Sequence, residues 1–172
     1  MNVPLDDARH RVASSMRTVG VISDTHGLLR QEALDALAGS DFVIHAGDIG
    51  DATVLERLRA LAPVTVVRGN TDKGRWASGI PQTEVLAVDG TLFYVVHIVE
   101  ELDLDPRVAG FHVVVSGHSH RPRIENRDGV VFLNPGSAGP RRFKLPLSVA
   151  RVQVGGGVIQ ADIVELPVGS KC

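Results

Sequence analysis

The chain has 172 residues, of which 44% are hydrophobic and 22% are charged, as in an ordinary single globular domain. The formal net charge of −2 at pH 7 argues against a broad basic face for nucleic acid. An aromatic content of 4% argues against a stacking platform for single strands. The one cysteine, Cys172, excludes an internal disulfide and a thiolate metal cage. We expect a soluble, cytoplasmic domain that has no membrane span.

The N-terminal segment differs from the rest of the chain. Residues 1–16 hold scattered apolar positions but lack the apolar run of a signal peptide. We predict a disordered extension over residues 1–16, with Met16 as a candidate start, and a folded domain over residues 17–168.

From Thr18 onward, short β-branched runs alternate with helical patterns. The pattern predicts strands at 19–22, 42–44 and 64–67, separated by helices at 31–38 and 51–61. Asp51 or Thr53 is placed to cap the second helix. Alternating strands and helices predict an α/β fold with a parallel sheet.

The second half predicts hairpins. Strands 85–88 and 92–96 flank the turn signal Asp89-Gly90, and 123–126 and 130–133 flank Asp128-Gly129. A buried run covers 111–115, and a last hairpin pairs 147–154 with 158–164. We expect one domain with two sheets, beginning as α/β and ending as antiparallel β.

Strand after strand ends in a side chain that could bind a metal ion. These side chains are Asp24, His26, Asp48, Asn70, His97, His118 and His120. Sites of α/β sheets form beyond the carboxyl ends of the strands, so we expect the seven to converge. Carboxylate, imidazole and amide ligands suit Mn²⁺, Zn²⁺, Fe or Ni. Asp24 and His26, like His118 and His120, are two residues apart, and in extended backbone each pair would project to one side.

Charge favours two metal ions over one. Two divalent cations would bring four positive charges, and the carboxylates of Asp24 and Asp48 would neutralise only two of them. The remaining positive charge would attract a phosphate group and lower the pKa of a bridging water. Gly27, Gly47, Gly69 and Gly117 adjoin the candidate ligands, which indicates tight turns or close backbone approach.

The series Asp24-Thr-His26, Gly47-Asp48, Gly69-Asn70, His97 and Gly117-His118-Ser-His120 resembles the calcineurin-like metallophosphoesterase family. The likeness is greatest to its small bacterial and archaeal phosphodiesterase branch, and it extends to the turn at 134–137. It implies a four-layer αββα sandwich and a metal-bridging hydroxide that attacks a phosphate ester.

The resemblance also implies a role for each candidate ligand. One metal would take Asp24, His26 and His120, the other would take Asn70, His97 and His118, and Asp48 would bridge them. Asp48, Asn70 and His97 would also be catalytic. We predict two divalent ions, with manganese favoured, and a small-molecule phosphate ester as substrate, most simply a phosphodiester.

The chain departs from the patterns of related enzymes at two places. Ile98-Val99-Glu100 follow His97, where relatives have glycine and a second histidine, and Thr71 follows Asn70, where Ser/Thr phosphatases have histidine. We therefore expect a preference for activated leaving groups. A non-catalytic scaffold resembling the retromer subunit of this fold stays open as the alternative, and a nuclease is disfavoured by charge.

Other polar residues allow more than one interpretation. His45 and His112 lie in apolar runs and are interpreted as core histidines or as supports of the site. Arg141, Arg142 and Lys144 form a short basic cluster that either is a solvated loop or contacts phosphate. The physiological substrate, the native metal and the oligomeric state are left open.

Overall fold

Two five-stranded sheets pack face to face in the computed structural model, which describes residues 15–167. In chain order the elements are β1 (Arg17–Ile22), α1 (Gln31–Leu37), β2 (Phe42–His45), α2 (Ala52–Arg59), β3 (Val64–Val66), β4 (Thr83–Val88), β5 (Thr91–Val96), β6 (Val113–Val115), β7 (Arg123–Arg127), β8 (Val130–Asn134), β9 (Ser148–Gly155) and β10 (Val158–Glu165). The predicted extension lies outside the described residues except for Ser15 and Met16, and Val168 lies outside them as well.

The first sheet has the order β10-β9-β1-β2-β3. Strands β1, β2 and β3 run parallel, as the alternation of strands and helices predicted. The last hairpin, β9 and β10, joins this sheet beside β1 in antiparallel orientation. The end of the chain therefore completes the sheet that the beginning starts.

The second sheet has the order β4-β5-β6-β8-β7. The two predicted hairpins form, since β4 pairs with β5 and β7 with β8 in antiparallel orientation. However, β5, β6 and β8 are parallel to one another, so the prediction of a purely antiparallel second half was wrong. Turn signals such as Asp89-Gly90 fix the pairing only of adjacent strands, whereas β5, β6 and β8 meet through long crossovers that carry no local signature.

Hydrophobic side chains fill three layers of packing. Val19 and Val21 of β1 lie fully buried against Phe93 and Val95 of β5, between the two sheets. Helices α1 and α2 cover the outer face of the first sheet with Ala33, Leu37, Val54 and Leu58. On the outer face of the second sheet, Tyr94 and Val114 are packed by Val99, Leu102 and Phe111. The α/β sandwich of four layers is confirmed, with a 3₁₀ turn (Val99–Glu101) and irregular chain as its fourth layer.

Local chemistry explains the helix ends. The Asp51 carboxylate accepts a hydrogen bond from the Thr53 N–H at 2.8 Å, so Asp51 caps α2 as predicted. None of the helices within residues 15–167 is long and apolar enough to cross a bilayer. The helices brace the first sheet from outside and leave the loops at the strand ends free to form a site.

Candidate metal centre

All seven predicted ligands converge at one edge of the sandwich. Asp24 and His26 follow β1, Asp48 follows β2 and Asn70 follows β3. From the second sheet, His97 follows β5, and His118 and His120 follow β6. Because these strands are parallel within each sheet, their carboxyl ends bring the loops to the same place.

Three side chains form a first group of donor atoms. The Nε2 atom of His120 lies 3.2 Å from Oδ1 of Asp24 and 3.4 Å from Nε2 of His26. Nε2 of His26 lies 4.0 Å from the same Asp24 oxygen. These distances leave the three donor atoms pointing at one small volume, in which a single cation could replace their mutual contacts.

A second group lies beside the first. Oδ1 of Asn70 is 3.1 Å from Nε2 of His97 and 3.1 Å from Nδ1 of His118. The Nδ1 atom of His97 is 2.7 Å from the carbonyl oxygen of Ala46 and donates its proton there. In neutral His97, that hydrogen bond selects the tautomer in which Nε2 presents a lone pair to the site.

Asp48 lies between the two groups. Its Oδ2 atom is 3.4 Å from Nε2 of His97 and 3.8 Å from Nε2 of His26. Its other oxygen, Oδ1, accepts a hydrogen bond from the Thr71 N–H at 2.9 Å. One carboxylate oxygen is thus held by the backbone while the other faces both groups of donor atoms, which is the arrangement that a bridging ligand needs.

One buried atom indicates that the site fits a metal ion. Oδ1 of Asp24 is fully buried and has no hydrogen-bond partner among residues 15–167. An unpaired buried carboxylate oxygen costs several kcal/mol in free energy unless a cation or a proton satisfies it. The surrounding donors are imidazole nitrogen and carboxylate or amide oxygen, which suits a divalent first-row ion.

The backbone at the candidate ligands is strained. Asp24, His26, Asp48, His118 and His120 have φ angles between +46° and +65°. The prediction that each two-residue pair lies in extended backbone was therefore wrong, although the side chains do converge. Left-handed conformations cost about 1–3 kcal/mol per residue and cluster where function requires a particular geometry.

The glycines beside the ligands allow close packing, as predicted. A Cβ atom on Gly47 would lie 2.6 Å from Nδ1 of His97, and one on Gly117 would lie 2.7 Å from Oδ2 of Asp24. A Cβ on Gly69 would overlap the backbone N and Oδ1 of Asp48. Gly27 instead serves a turn, since its φ is +82° and an added Cβ would make only ordinary contacts, the nearest at 3.8 Å to Cβ of Asp51.

Several supporting side chains were missed by sequence reasoning. The buried carboxylate of Asp72 accepts hydrogen bonds from the N–H groups of Gly50 and Gly69, both at 2.8 Å, and so ties the loop after β2 to the loop after β3. The Ser23 hydroxyl donates to Oδ2 of Asp24 at 2.6 Å. Asn134 donates to the Gly117 carbonyl at 2.6 Å. For Ser23 and Asp72 the available signal was a short polar residue one or two positions from a ligand, and for Asn134 it was the turn at 134–137 that carries the family likeness.

The two histidines left open have different environments. His45 is fully buried and uncharged, with Nε2 at 2.9 Å from the Thr25 hydroxyl oxygen and Nδ1 accepting from the Gly47 N–H. Burial lowers the pKa of His45 to about 4. His112 is exposed and accepts from the Leu92 N–H, so the interpretation of His112 as a core or site-supporting residue was wrong.

Burial, neighbouring charges and hydrogen bonds shift the pKa values of the candidate ligands in different directions. Burial raises the pKa of Asp48, but hydrogen bonds from His97 and Thr71 outweigh it and hold the pKa well below its usual range. Burial lowers the pKa of His97, but its bonds to Asp48 and the Ala46 carbonyl outweigh burial and raise it. Burial lowers the pKa of His26 by more than the carboxylates of Asp48 and Asp24 raise it, and the charge of Arg142 adds to the lowering. Asp48 is therefore ionised at neutral pH and available as a ligand.

Comparison with known proteins identifies the family. Residues 16–157, most of the chain, match the calcineurin-like phosphoesterase superfamily domain. The chain belongs to this superfamily. A probable metallophosphoesterase of Methanothermobacter thermautotrophicus is 30% identical to this chain over 158 residues, which cover 85% of the chain and 91% of the relative.

Solved structures share the fold of this superfamily member. A structure described as a novel archaeal phosphodiesterase has a TM-score of 0.71 and 22% identity, covering 86% of this chain and 99% of its own. Vacuolar Protein Sorting 29 from Cryptosporidium parvum has a TM-score of 0.71 and 19% identity, covering 88% and 98%. The family resemblance inferred from the motifs is confirmed. The assignment of the seven side chains as ligands stays a prediction.

Proposed function

We propose that this phosphoesterase hydrolyses phosphodiesters of small molecules, with two divalent cations held by the seven side chains at the strand ends. Asp24, His26 and His120 would hold one ion, and Asn70, His97 and His118 would hold the other. Asp48 would bridge them. The observation that carries the proposal is the position of Oδ2 of Asp48 between the two groups, at 3.4 Å from Nε2 of His97 and 3.8 Å from Nε2 of His26.

The bound cations would supply an activated water and would neutralise charge on the phosphate. In hydrolysis the water oxygen forms a bond to phosphorus, the ester P–O bond breaks, and a proton passes to the leaving oxygen. The carboxylates of Asp24 and Asp48 would neutralise two of the four positive charges of the cations, and the neutral imidazoles and Asn70 would neutralise none. The site would therefore keep a net positive charge. Carboxylate, imidazole and amide donors favour manganese, with zinc, iron and nickel as alternatives.

We also propose that Arg142 assists phosphate binding. It lies on the exposed loop at 140–144, and its positive charge lowers the pKa of His26. A guanidinium on the side of His26 would attract the phosphate before the metal ions take it up. Of the basic residues left open by the sequence, Arg142 is therefore the one that we assign to the substrate.

The diester preference rests on similarity. The archaeal phosphodiesterase structure shares the fold along almost all of its length. The residues after His97 and Asn70 supply no histidine to protonate a leaving oxygen, which favours activated leaving groups.

We place the protein in the cytoplasm because the sequence has one cysteine in 172 residues.

A protein-interaction scaffold is the second candidate. The fold that this chain shares with Vacuolar Protein Sorting 29 supports the scaffold. The absence of glycine and a second histidine after His97 supports it as well. Against it stands the convergence of all seven ligand types, together with strained backbone at five of them. A scaffold has no need of either.

Replacement of the bridging carboxylate tests the proposal. We expect Asp48→Asn to abolish hydrolysis of bis(p-nitrophenyl) phosphate in added Mn²⁺ and to lower bound metal, because the amide removes the charge between the two cations. Asp51→Asn is the matched control, since asparagine caps a helix as well as aspartate does.

Metal content and turnover together separate the candidates. Elemental analysis of the wild-type protein should give two metal ions per chain, alongside turnover of the diester. Wild-type activity in Asp48→Asn would refute the proposed site. Two bound metals without turnover of any phosphate ester would favour the scaffold.

A further inference from the structure

A cavity of about 270 Å³ adjoins the candidate metal centre on its His118 side. It lies between the turn at Val99 and Glu100, strand β7 and the end of β8. Its volume is just below the roughly 300–1,000 Å³ of typical small-molecule pockets. The space therefore suits a single ring with a substituent.

One strand presents a charged stripe to this cavity. Arg123, Glu125 and Arg127 alternate along β7, so all three side chains lie on the same face, and all three line the cavity. Glu125 pairs with Arg123 at 2.8 Å and with Arg127 at 2.9 Å. Arg121 and Glu100 also line it, so three arginines face two glutamates and one positive charge is left over.

The cavity also has an apolar wall. Phe132 lies opposite Glu125 in the β7–β8 register, and the Arg127 guanidinium carbon lies 4.4 Å from the centroid of its ring. Val99 adds to this wall. An apolar wall with a cationic rim favours a ring that carries an anionic group.

A hydrogen-bonded link joins the cavity to the metal centre. The Asn134 amide, at the end of β8, donates to the Gly117 carbonyl at 2.6 Å and to the Ser119 hydroxyl at 3.1 Å. These two residues flank His118, which itself lines the cavity and is 3.1 Å from Asn70. The charged stripe and the candidate ligand His118 are thus held in one fixed arrangement.

We propose that this cavity is the subsite for the organic group of the substrate, and that it selects phosphodiesters whose ring carries a second, anionic substituent such as a carboxylate. This inference rests on the proposed function for the position of the scissile phosphate. The excess positive charge of the rim binds the substituent, and Phe132 and Val99 pack against the ring.

Two diesters that differ in a single carboxylate test the subsite. We expect 4-nitrophenyl 4-carboxyphenyl phosphate to have a KM about tenfold below that of 4-nitrophenyl phenyl phosphate, as one charge-assisted contact would give. In Arg123→Ala the ratio of the two KM values should fall to near one, and Arg123→Lys should restore much of it. Arg59→Ala, on the exposed end of α2, is the control for loss of one surface charge.

A binding measurement without metal separates this inference from the proposed function. We expect 4-hydroxybenzoate, titrated into EDTA-treated protein, to shift the amide NMR signals of Ser119 and Phe132, and expect Arg123→Ala to remove the shift. If the diesters are not hydrolysed but this binding is seen, the subsite stands and the proposed chemistry fails. If both diesters are hydrolysed with equal KM and no shift occurs, the subsite is refuted and the proposed chemistry stands.

Discussion

Residue types at the candidate metal centre could be predicted because metal chemistry allows few of them. Asp, His and Asn at successive strand ends restrict the interpretation strongly, and all seven side chains do converge. Their backbone could not be predicted, because a strand-end loop has no periodic pattern. One signal was available: all five left-handed ligands, such as Asp24 and His118, are Asp or His, which tolerate this conformation better than most residues.

His45 should make the stability of the metal-free protein depend on pH. Its pKa is lowered by burial from 6.5 to about 4, while Asp24 and Asp72 oppose the shift and His97 adds to it. Between these pH values the unfolded chain binds a proton at His45 and the folded chain does not, so protons favour unfolding. The free energy of unfolding should fall by ~3 kcal/mol from this residue as the pH drops from 7 to 4.

Chemical denaturation in EDTA at several pH values measures this effect. His45→Gln keeps a donor for the Thr25 hydroxyl but cannot ionise, so the wild type should lose more stability than the variant on acidification. Titration of the His45 ring by NMR provides a check that needs no variant. A His45 imidazole that titrates near pH 6.5 in the folded protein would contradict the prediction.

At the scale of elements, the parallel strands and hairpins differ in how far the sequence determines them. Helix α2 and its cap Asp51 were predicted from periodicity and a polar residue at the helix start, and the β4–β5 hairpin from its turn. The parallel pairing of β5, β6 and β8 was not, because it depends on packing between segments that are distant in sequence. The same pairing delivers His97 and His118 to the site.

Close approach of the β2 and β3 ends makes Gly69 sensitive. A Cβ there would meet the backbone of Asp48, with 2.8 Å to its Cα atom. Gly69→Ala should therefore push the two loops apart, lower the free energy of unfolding by about 1–3 kcal/mol and weaken metal binding. Gly79→Ala is the matched control, because nothing lies within 4 Å of the added atom.

Chemical denaturation and elemental analysis of both glycine variants test this prediction. Gly79→Ala should keep wild-type stability and metal content. A Gly69→Ala protein that retained both as well would show that the loops can separate without disturbing Asp48, and would contradict the close packing of Gly69 against Asp48.

At the scale of the whole molecule, the candidate metal centre joins the two sheets. Loops of the first sheet supply Asp24, His26, Asp48 and Asn70, and loops of the second supply His97, His118 and His120. Hydrophobic packing between Val21, Phe93 and their neighbours holds the sheets together without metal. A cation that binds across the sheets adds to that packing, since its ligands are brought together only in the folded state.

Metal binding should consequently stabilise both sheets together. A single ion at a free concentration one hundred times its dissociation constant raises the free energy of unfolding by ~2.7 kcal/mol, and a second ion raises it further. Denaturation with and without Mn²⁺ measures the gain, which Asp48→Asn should reduce. Hydrogen exchange tests its extent: protection should rise in β1 and β2 of one sheet and in β5 and β6 of the other. Slower exchange confined to the loops would mean that the metal orders the site alone, and that the sheets do not depend on it.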